Sequence, residues 1–303
     1  MNALASPASL KGVLSAAEAA AALARGFRRA GAEAEELPLA DGGEGTAEVL
    51  GARVERLEQV VDAFGRPREA PIRRLEDGTA VVESAEVIAL DPERLDVFTA
   101  SSRGLGELIA RVGSCPRLLV CLGGTATMDG GAGLLEALPE LPAPTTVLCD
   151  VRATFLEAPR LFGPQKGALA DDVVEFEHRF ALLDNAQSLV KLQGGGAAGG
   201  LGAALASLGG QLVPGAAYVL EAIGFRERAE CADLVVTGEG TVDRTTFDGK
   251  APGEARRVCE ELGVRCVLFA GVVEDGLEAT PLSGEPARAA QDLEELGLRL
   301  GVA

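Results

Sequence analysis

The chain has 303 residues, 47% of them hydrophobic, and 46 acidic residues against 28 Lys and Arg, for a formal net charge of −18. A field of that sign repels nucleic acid and anionic membrane surfaces, so neither is an expected partner, and an anionic ligand has to be held locally by aimed N–H groups, a few cations or a metal. No stretch nears the roughly 20 apolar residues needed to cross a bilayer, and the length suits two domains with sizeable cores.

The Ala-rich N-terminal segment reads as a short strand, a loop carrying Lys11 and an amphipathic helix. Leu14, Ala17, Ala21, Leu23, Ala24 and Phe27 recur near helical spacing, and Ser15 with Glu18 three residues on makes a capping box. This helix is expected to end near Gly31, before a strand at 35–39, the loop PLADGGEGT at 38–46 and a helix through 46–50. From 54 to 88, alternating apolar runs flank the turn signals Gly65-Arg66-Pro67 and Asp77-Gly78, which predicts antiparallel hairpins in a separate sheet. A helix at 102–112, a strand at 117–122, a helix at 132–138 and a strand at 145–149 follow, and a helical pattern covers 171–192. Residues 233–237 and 264–270 are short continuous apolar runs with a helix at 254–262 between them, the pattern of a buried parallel strand pair. The chain is therefore read as entering, leaving and re-entering one doubly wound α/β domain. Its six cysteines form no CxxC and mostly lie in or beside apolar runs. They read as small buried hydrophobes, which suits a reducing cytoplasm.

Three loops combine glycine with carboxylates. The first holds Asp41, Gly42, Gly43 and Glu44; the second, CLGGTATMDGGAG at 121–133, holds Gly123, Gly124, Thr125 and Asp129. The third, TGEGTVDRTTFDGKAP at 237–252, holds Gly238, Glu239, Gly240, Asp243 and Lys250. Each is expected at the carboxyl end of a strand, where open α/β sheets bind ligands. Bare backbone there lets N–H groups approach phosphate oxygens, helix N-termini add partial positive charge, and carboxylates hold Mg²⁺ or accept a hydroxyl proton. A single such loop is explained better by turn and capping needs than by a ligand; three in one chain favour a ligand. Lys11, Lys166 in FGPQKGA and Lys250 in DGKAP are the cations placed to neutralise a phosphate or carboxylate.

Other motifs are excluded. Gly249-Lys250-Ala251 lacks the Ser/Thr and upstream glycine of a Walker A loop, and Gly194, Gly196 and Gly199 spell GxGxxG after a helical pattern instead of a strand, against a dinucleotide site. The one histidine, His178, stands on a predicted helix face, so acid–base work falls to carboxylates or lysines.

Taken together, these loops resemble the class I glycerate kinase family. The matching stretches SLKGVLSA, PLADGGEGT, GLGELI, GGTATMDGGAG, CDV, FGPQKGA, GGGAAGGLGA, ADLVVTGEG and DGKAP come in family order over nearly the whole chain. The resemblance implies ATP- and Mg²⁺-dependent phosphorylation of glycerate to phosphoglycerate, at the 2-hydroxyl. It implies a Rossmann-like domain (1–52, 101–142 and 229–303) and a smaller α/β domain inserted discontinuously (53–100 and 143–228), with the active site in the cleft between them. On the matched positions it implies Asp41, Glu44, Asp129 and Lys11 as catalytic, Asp41 being the base. Gly42, Gly43, Gly123, Gly124, Thr125, Lys166, Gly238, Gly240 and Lys250 would bind the nucleotide, and Glu239 and Asp243 the metal. Arg103 and Lys11 are candidates for holding glycerate's carboxylate. The chain departs from the family at Ala8, where an aspartate is usual, at Met128, where an asparagine is usual, and at 152–155, after CDV. These losses of polar groups keep an alternative open, a catalytically weakened relative that binds nucleotide or a small carboxylate. The sequence does not set whether the protein is a monomer or a homodimer.

Overall fold

The structure is a computed structural model that describes residues 1–182 and 189–302. Strand β1 (Asn2–Ala5) leads into the helix Ala16–Arg29, which opens on the expected capping box: Ser15 Oγ accepts from the Glu18 amide at 3.1 Å and the Ser15 amide donates to Glu18 Oε2 at 2.8 Å. Strand β2 (Glu33–Glu36) follows. The chain then forms two compact units, one made of Met1–Asp41 with Ala216–Ala303 and the other of Gly42–Gly215.

In the inserted unit, β3 (Arg53–Val61), β4 (Pro67–Arg74), β5 (Ala80–Glu83), β6 (Leu118–Leu122), β7 (Thr145–Cys149) and β8 (Gln211–Pro214) make one sheet in chain order. The pairs β3–β4 and β4–β5 are antiparallel and the rest parallel. β6, the sequence LLVCL, is buried along its whole length, as a strand covered on both faces requires. Its core joins Val82, Val120 and Val147 to Leu105, Leu134 and Leu201 of the covering helices.

The first unit holds β9 (Leu234–Val242), β10 (Cys266–Val273) and β11 (Thr280–Pro281) in an all-parallel sheet of order β11-β10-β9-β1-β2. Helices Ala16–Arg29 and Ala289–Gly301 bury Ala3, Ala5 and Val236 against Leu23, Phe27 and Leu293 on one face. Helices Phe225–Glu230 and Ala251–Leu262 bury Leu4 and Val235 against Phe225, Ala255 and Cys259 on the other. The sheet is thus doubly wound, and it runs from β1 outward to β2 and from β9 outward to β10 and β11, so its topological switch point lies between β1 and β9.

The α/β reading holds, with the division of the chain corrected. The hairpins expected at 54–88 do form, yet not as a separate sheet, because β5 pairs in parallel with β6, Val81 beside Leu119. That pairing carries 101–142 into the inserted unit, which is consequently the larger of the two; 42–52 also belongs to it, and 216–228 belongs to the first unit. A continuous apolar run announces burial on both faces of a strand but says nothing about which neighbour it pairs with. The helical pattern at 171–192 is a helix over Ala170–Leu182, and 183–188 lie outside the described residues. The third glycine loop begins as strand: Gly238, Glu239 and Gly240 stand on β9, with Gly238 beside Phe269. The six cysteines are free thiols, and Cys231 is exposed instead of buried.

Candidate active site

In the first unit, four charged side chains converge at the switch point. Lys11 comes from the loop after β1, Asp41 from the segment after β2, Glu239 from the carboxyl half of β9, and Lys250 from the position just before helix Ala251–Leu262. All four line one pocket of about 330 Å³, together with Gly240. Lys250 Nζ lies 3.7 Å from Glu239 Oε2 and 3.6 Å from Asp243 Oδ1. Thr246 Oγ1 donates to Glu239 Oε1 at 2.7 Å. Burial, with the nearby charges of Asp41 and Asp243, pushes the Glu239 carboxyl above its usual range, while Lys250 and the Thr246 hydroxyl pull the other way. The carboxylates are therefore crowded, and a cation relieves that crowding.

Asp243 is differently placed from the metal ligand it was expected to be. Its Oδ1 accepts from the Thr246 amide at 3.2 Å and from the Thr245 hydroxyl, capping the short turn Arg244–Phe247. Partial burial raises its carboxyl, but the Thr245 hydroxyl, Lys250 and the backbone N–H bonds outweigh that and hold it low. Among the described residues no group of three or more His, Cys, Asp and Glu side chains is arranged to hold a metal ion.

In the inserted unit, the ends of β5, β6 and β7 gather a second set of polar groups. Glu83, buried at the end of β5, accepts from the Gly45 amide at 3.1 Å and the Ala47 amide at 2.6 Å. It thereby caps helix Thr46–Val49, whose N-cap residue, Gly45, has no side chain to do so. Thr46 Oγ1 accepts from the Gly42 amide at 3.1 Å, so the Gly42–Gly45 turn is held from both sides. Ser84 Oγ bridges the amide and carbonyl of Gly123. A Cβ on Gly123 would stand 2.6 Å from Asp150 Oδ2 and 2.9 Å from Gly43 Cα, an approach that excludes every other residue; one on Gly124 would stand 3.8 Å from Glu44 Oε2. Glu44, Gly43, Gly123, Gly124 and Asp150 thus surround one place.

Lys166 lies beside them, 4% exposed. Its Nζ donates to the Thr127 carbonyl at 2.7 Å and to Thr125 Oγ1 at 3.3 Å. Burial pushes its ammonium down to about 8, against the opposing pull of Asp150 and Asp129. The cation expected to clamp a phosphate is instead turned onto the 125–127 turn. Asp129, expected to be catalytic, accepts four hydrogen bonds: from the Ser102 amide and hydroxyl at 2.8 Å each, the Gly131 amide at 3.0 Å and the Gly133 amide at 3.2 Å. Three of these bonds fall on Oδ2 and one on Oδ1, so Asp129 anchors the starts of two helices through Oδ2 while Oδ1 keeps room for a further donor.

Two of the departures from the family, at Met128 and Phe155, have a structural account. Met128 and Phe155 pack in a buried cluster with Phe180, Phe155 stacking on Phe180 with ring centroids 4.6 Å apart. Arg103, offered for a carboxylate ligand, is about half exposed and pairs with Glu107 at 3.1 Å. The glycine run at 194–202 is packing: Gly199 has φ of 72°, a Cβ on it would stand 2.0 Å from the Thr127 carbonyl oxygen, and its own carbonyl accepts from the Gly130 amide at 3.1 Å. His178 is exposed on its helix. Glu83 and Asp150 were missed as site residues, although both close an apolar strand with a carboxylate, as AVVE and TVLCD show.

A doubly wound sheet with paired lysines and carboxylates at its switch point defines an α/β enzyme that handles a small anionic molecule. The family model for the glycerate kinase family matches residues 3–140 and 142–290. The glycerate kinase of Bacillus subtilis (strain 168) is 35% identical over 328 residues, covering 90% of this chain and 85% of the relative. The glycerate 2-kinase of Escherichia coli (strain K12) is 32% identical over 331 residues, covering 91% and 86%. A crystal structure from Salmonella typhimurium LT2, provisionally named glycerate kinase 2, matches with a TM-score of 0.77 and 29% identity, covering 99% of this chain and 97% of that one. The chain belongs to the glycerate kinase family and is, by that membership, a kinase.

Proposed function

We propose that the protein transfers a phosphoryl group from ATP to the 2-hydroxyl of D-glycerate in the presence of Mg²⁺, giving 2-phosphoglycerate. The observation that carries this reading is the switch-point pocket, where two lysines and two carboxylates stand at the carboxyl ends of β1, β2 and β9 in a chain of this family. The name of the E. coli relative, a glycerate 2-kinase, supports the choice of hydroxyl.

Phosphoryl transfer asks a protein for positioning and charge neutralisation more than for covalent chemistry. Lys11 and Lys250 supply the positive charge for phosphate oxygens. Asp41 is the proton acceptor for the attacking hydroxyl. Glu44 keeps the catalytic role that the family resemblance gives it, on the turn that Glu83 holds. The donors also fit Mg²⁺, which binds hard oxygens through one or two carboxylates and keeps several waters, so the lack of a larger cluster among the described residues is compatible with it. Glu239 is the carboxylate placed to hold it, with Asp243 committed to its cap. When bound, Mg²⁺ would offset charge on the phosphate oxygens. Met128 and Phe155 fill core space, so the weakened-relative alternative rests on the departures at Ala8 and 152–154. The free thiols suit a reducing cytoplasm.

The test is direct. Purified protein with ATP, Mg²⁺ and D-glycerate should release ADP and form 2-phosphoglycerate, identified by phosphorus NMR. Absence of turnover across divalent metals and pH would overturn the proposal.

A further inference from the structure

The pairing of β1 with β9 runs on past Ala5. The Ser6 amide donates to the Val236 carbonyl at 2.8 Å and the Ala8 amide to the Gly238 carbonyl at 2.9 Å, so in this parallel ladder Ser6 stands beside Thr237 and Ala8 beside Glu239. On the outer sides, Leu37, whose amide donates to the Ala5 carbonyl, lies beside Ser6, and Leu268 lies beside Thr237. Side chains two apart on a strand share a face, so Ser6 and Thr237 point the same way as Leu4 and Val235, into the layer that Ala216, Ala251 and Ala255 help to fill. Two hydroxyls thus sit side by side at the switch point in an otherwise apolar row.

Both residues are 0% exposed, and among the described residues Ser6 Oγ and Thr237 Oγ1 are the buried side-chain polar atoms to which no protein group bonds. Other buried hydroxyls are taken: Ser84 by Gly123, Ser102 by Asp129, Thr246 by Glu239. An unbonded buried hydroxyl is costly, and valine or alanine would fill the same space without that cost, so two of them in adjacent positions call for an occupant. The occupant has to be small, because apolar neighbours close the site, and it has to donate as well as accept, because each hydroxyl does both. Water meets both conditions. Helix Ala251–Leu262, over the same face, has Lys250 as its N-cap with no side-chain bond to the first turn, which leaves its leading amides as donors for a third bond.

We infer that Ser6 and Thr237 hold a single buried water between the switch point of the sheet and the first turn of helix Ala251–Leu262. The water ties β1 to β9 one residue pair behind Ala8 and Glu239, where the strands hand over to the loops that carry charge. The site depends on two hydroxyls and their burial, so it stands apart from the kinase reading and from whatever molecule the neighbouring pocket takes.

The test joins crystallography of the full chain to thermal melts. A high-resolution crystal structure of the wild type should show one water about 2.7–3.2 Å from both oxygens; an empty site, or a metal ion in it, overturns the inference, and this measurement needs no variant to fold. Thr237→Val keeps the shape of the side chain and removes the hydroxyl. It should lose the water and lower the Tm by about 2–4 °C, as should Ser6→Ala, and the double variant should fall little further, because the water leaves with the first hydroxyl. A dry pair of hydroxyls predicts the reverse, since valine would then remove an unpaired polar atom, and a Tm that rises in Thr237→Val overturns the inference. Thr237→Ser restores the hydroxyl and should keep the water; its loss there would assign the site to the shape of threonine and count against the role of the hydroxyl.

Discussion

A lysine ammonium enclosed like that of Lys166 keeps its charge only through the Thr127 carbonyl, the Thr125 hydroxyl and the fields of Asp150 and Asp129. Its folded pKa of about 8 lies below a lysine's ordinary 10.5. Between those values the unfolded chain binds a proton that the folded chain does not, so this group makes stability rise with pH there, and its cost is present in full below about pH 8. Lys166→Met has no such term. Denaturant unfolding at pH 7 and pH 9.5 should show wild type gaining on the variant at the higher pH, by about 2 kcal/mol; an equal gap at both pH values would count against this. Glu239 gives a second case. Its carboxylate is mostly buried, a cost that Lys250 only partly offsets against burial, Asp41 and Asp243, so Glu239→Gln should raise the Tm by about 2–4 °C at neutral pH and lower kcat by about 100-fold or more. Calorimetry and the ADP-release assay read the two effects separately, and loss of both stability and activity would assign Glu239 to structure. The sequence shows that Lys166 and Asp129 are present and near glycines, but not that one is buried and the other bound to the backbone at the starts of two helices. Both outcomes depend on residues 27 to 41 positions away, Ser102 for Asp129 and Thr125 for Lys166.

The elements divide along the same line, between local and distant causes. The Ser15–Glu18 capping box was readable because donor and acceptor are three residues apart. Ser15→Ala should cost about 1 kcal/mol in denaturant unfolding and leave turnover unchanged. The helix Thr46–Val49 has no such local signal. Its cap is Glu83, 36 to 38 residues later in the chain, and no spacing rule connects them. Glu83→Gln keeps one acceptor but presents an NH₂ group to the other backbone N–H, leaving a buried donor unpaired at a cost of about 1–3 kcal/mol. Because the Gly42–Gly45 turn carries Glu44, the same change should lower kcat and speed hydrogen exchange at Gly45 and Ala47, where Ser15→Ala does neither. Exchange unaltered at both amides would show that the turn holds without Glu83.

At the scale of the molecule, the alternation of strand and helix made the α/β class readable, and the boundaries of the inserted unit stayed hidden. The chain crosses between units at Asp41–Gly42 and Gly215–Ala216, points with no shift in composition, one of them inside the loop that looked most like a single site. Net charge, in contrast, is read from sequence without loss, and it has a kinetic consequence. A formal −18 repels ATP and glycerate alike as they approach, whereas Lys11 and Lys250 act at contact range inside a pocket. Salt affects the two unequally. The screening length falls from about 30 Å at 0.01 M to about 8 Å at 0.15 M, which removes long-range repulsion before it weakens contacts a few ångströms long. With Mg²⁺ kept saturating, kcat/KM for ATP should therefore rise about two- to fivefold over that range of KCl, the reverse of an enzyme steered by a basic surface. A steady fall over the same range would mean that the local field of the two lysines already governs the approach, and that the acidic remainder of the surface faces elsewhere.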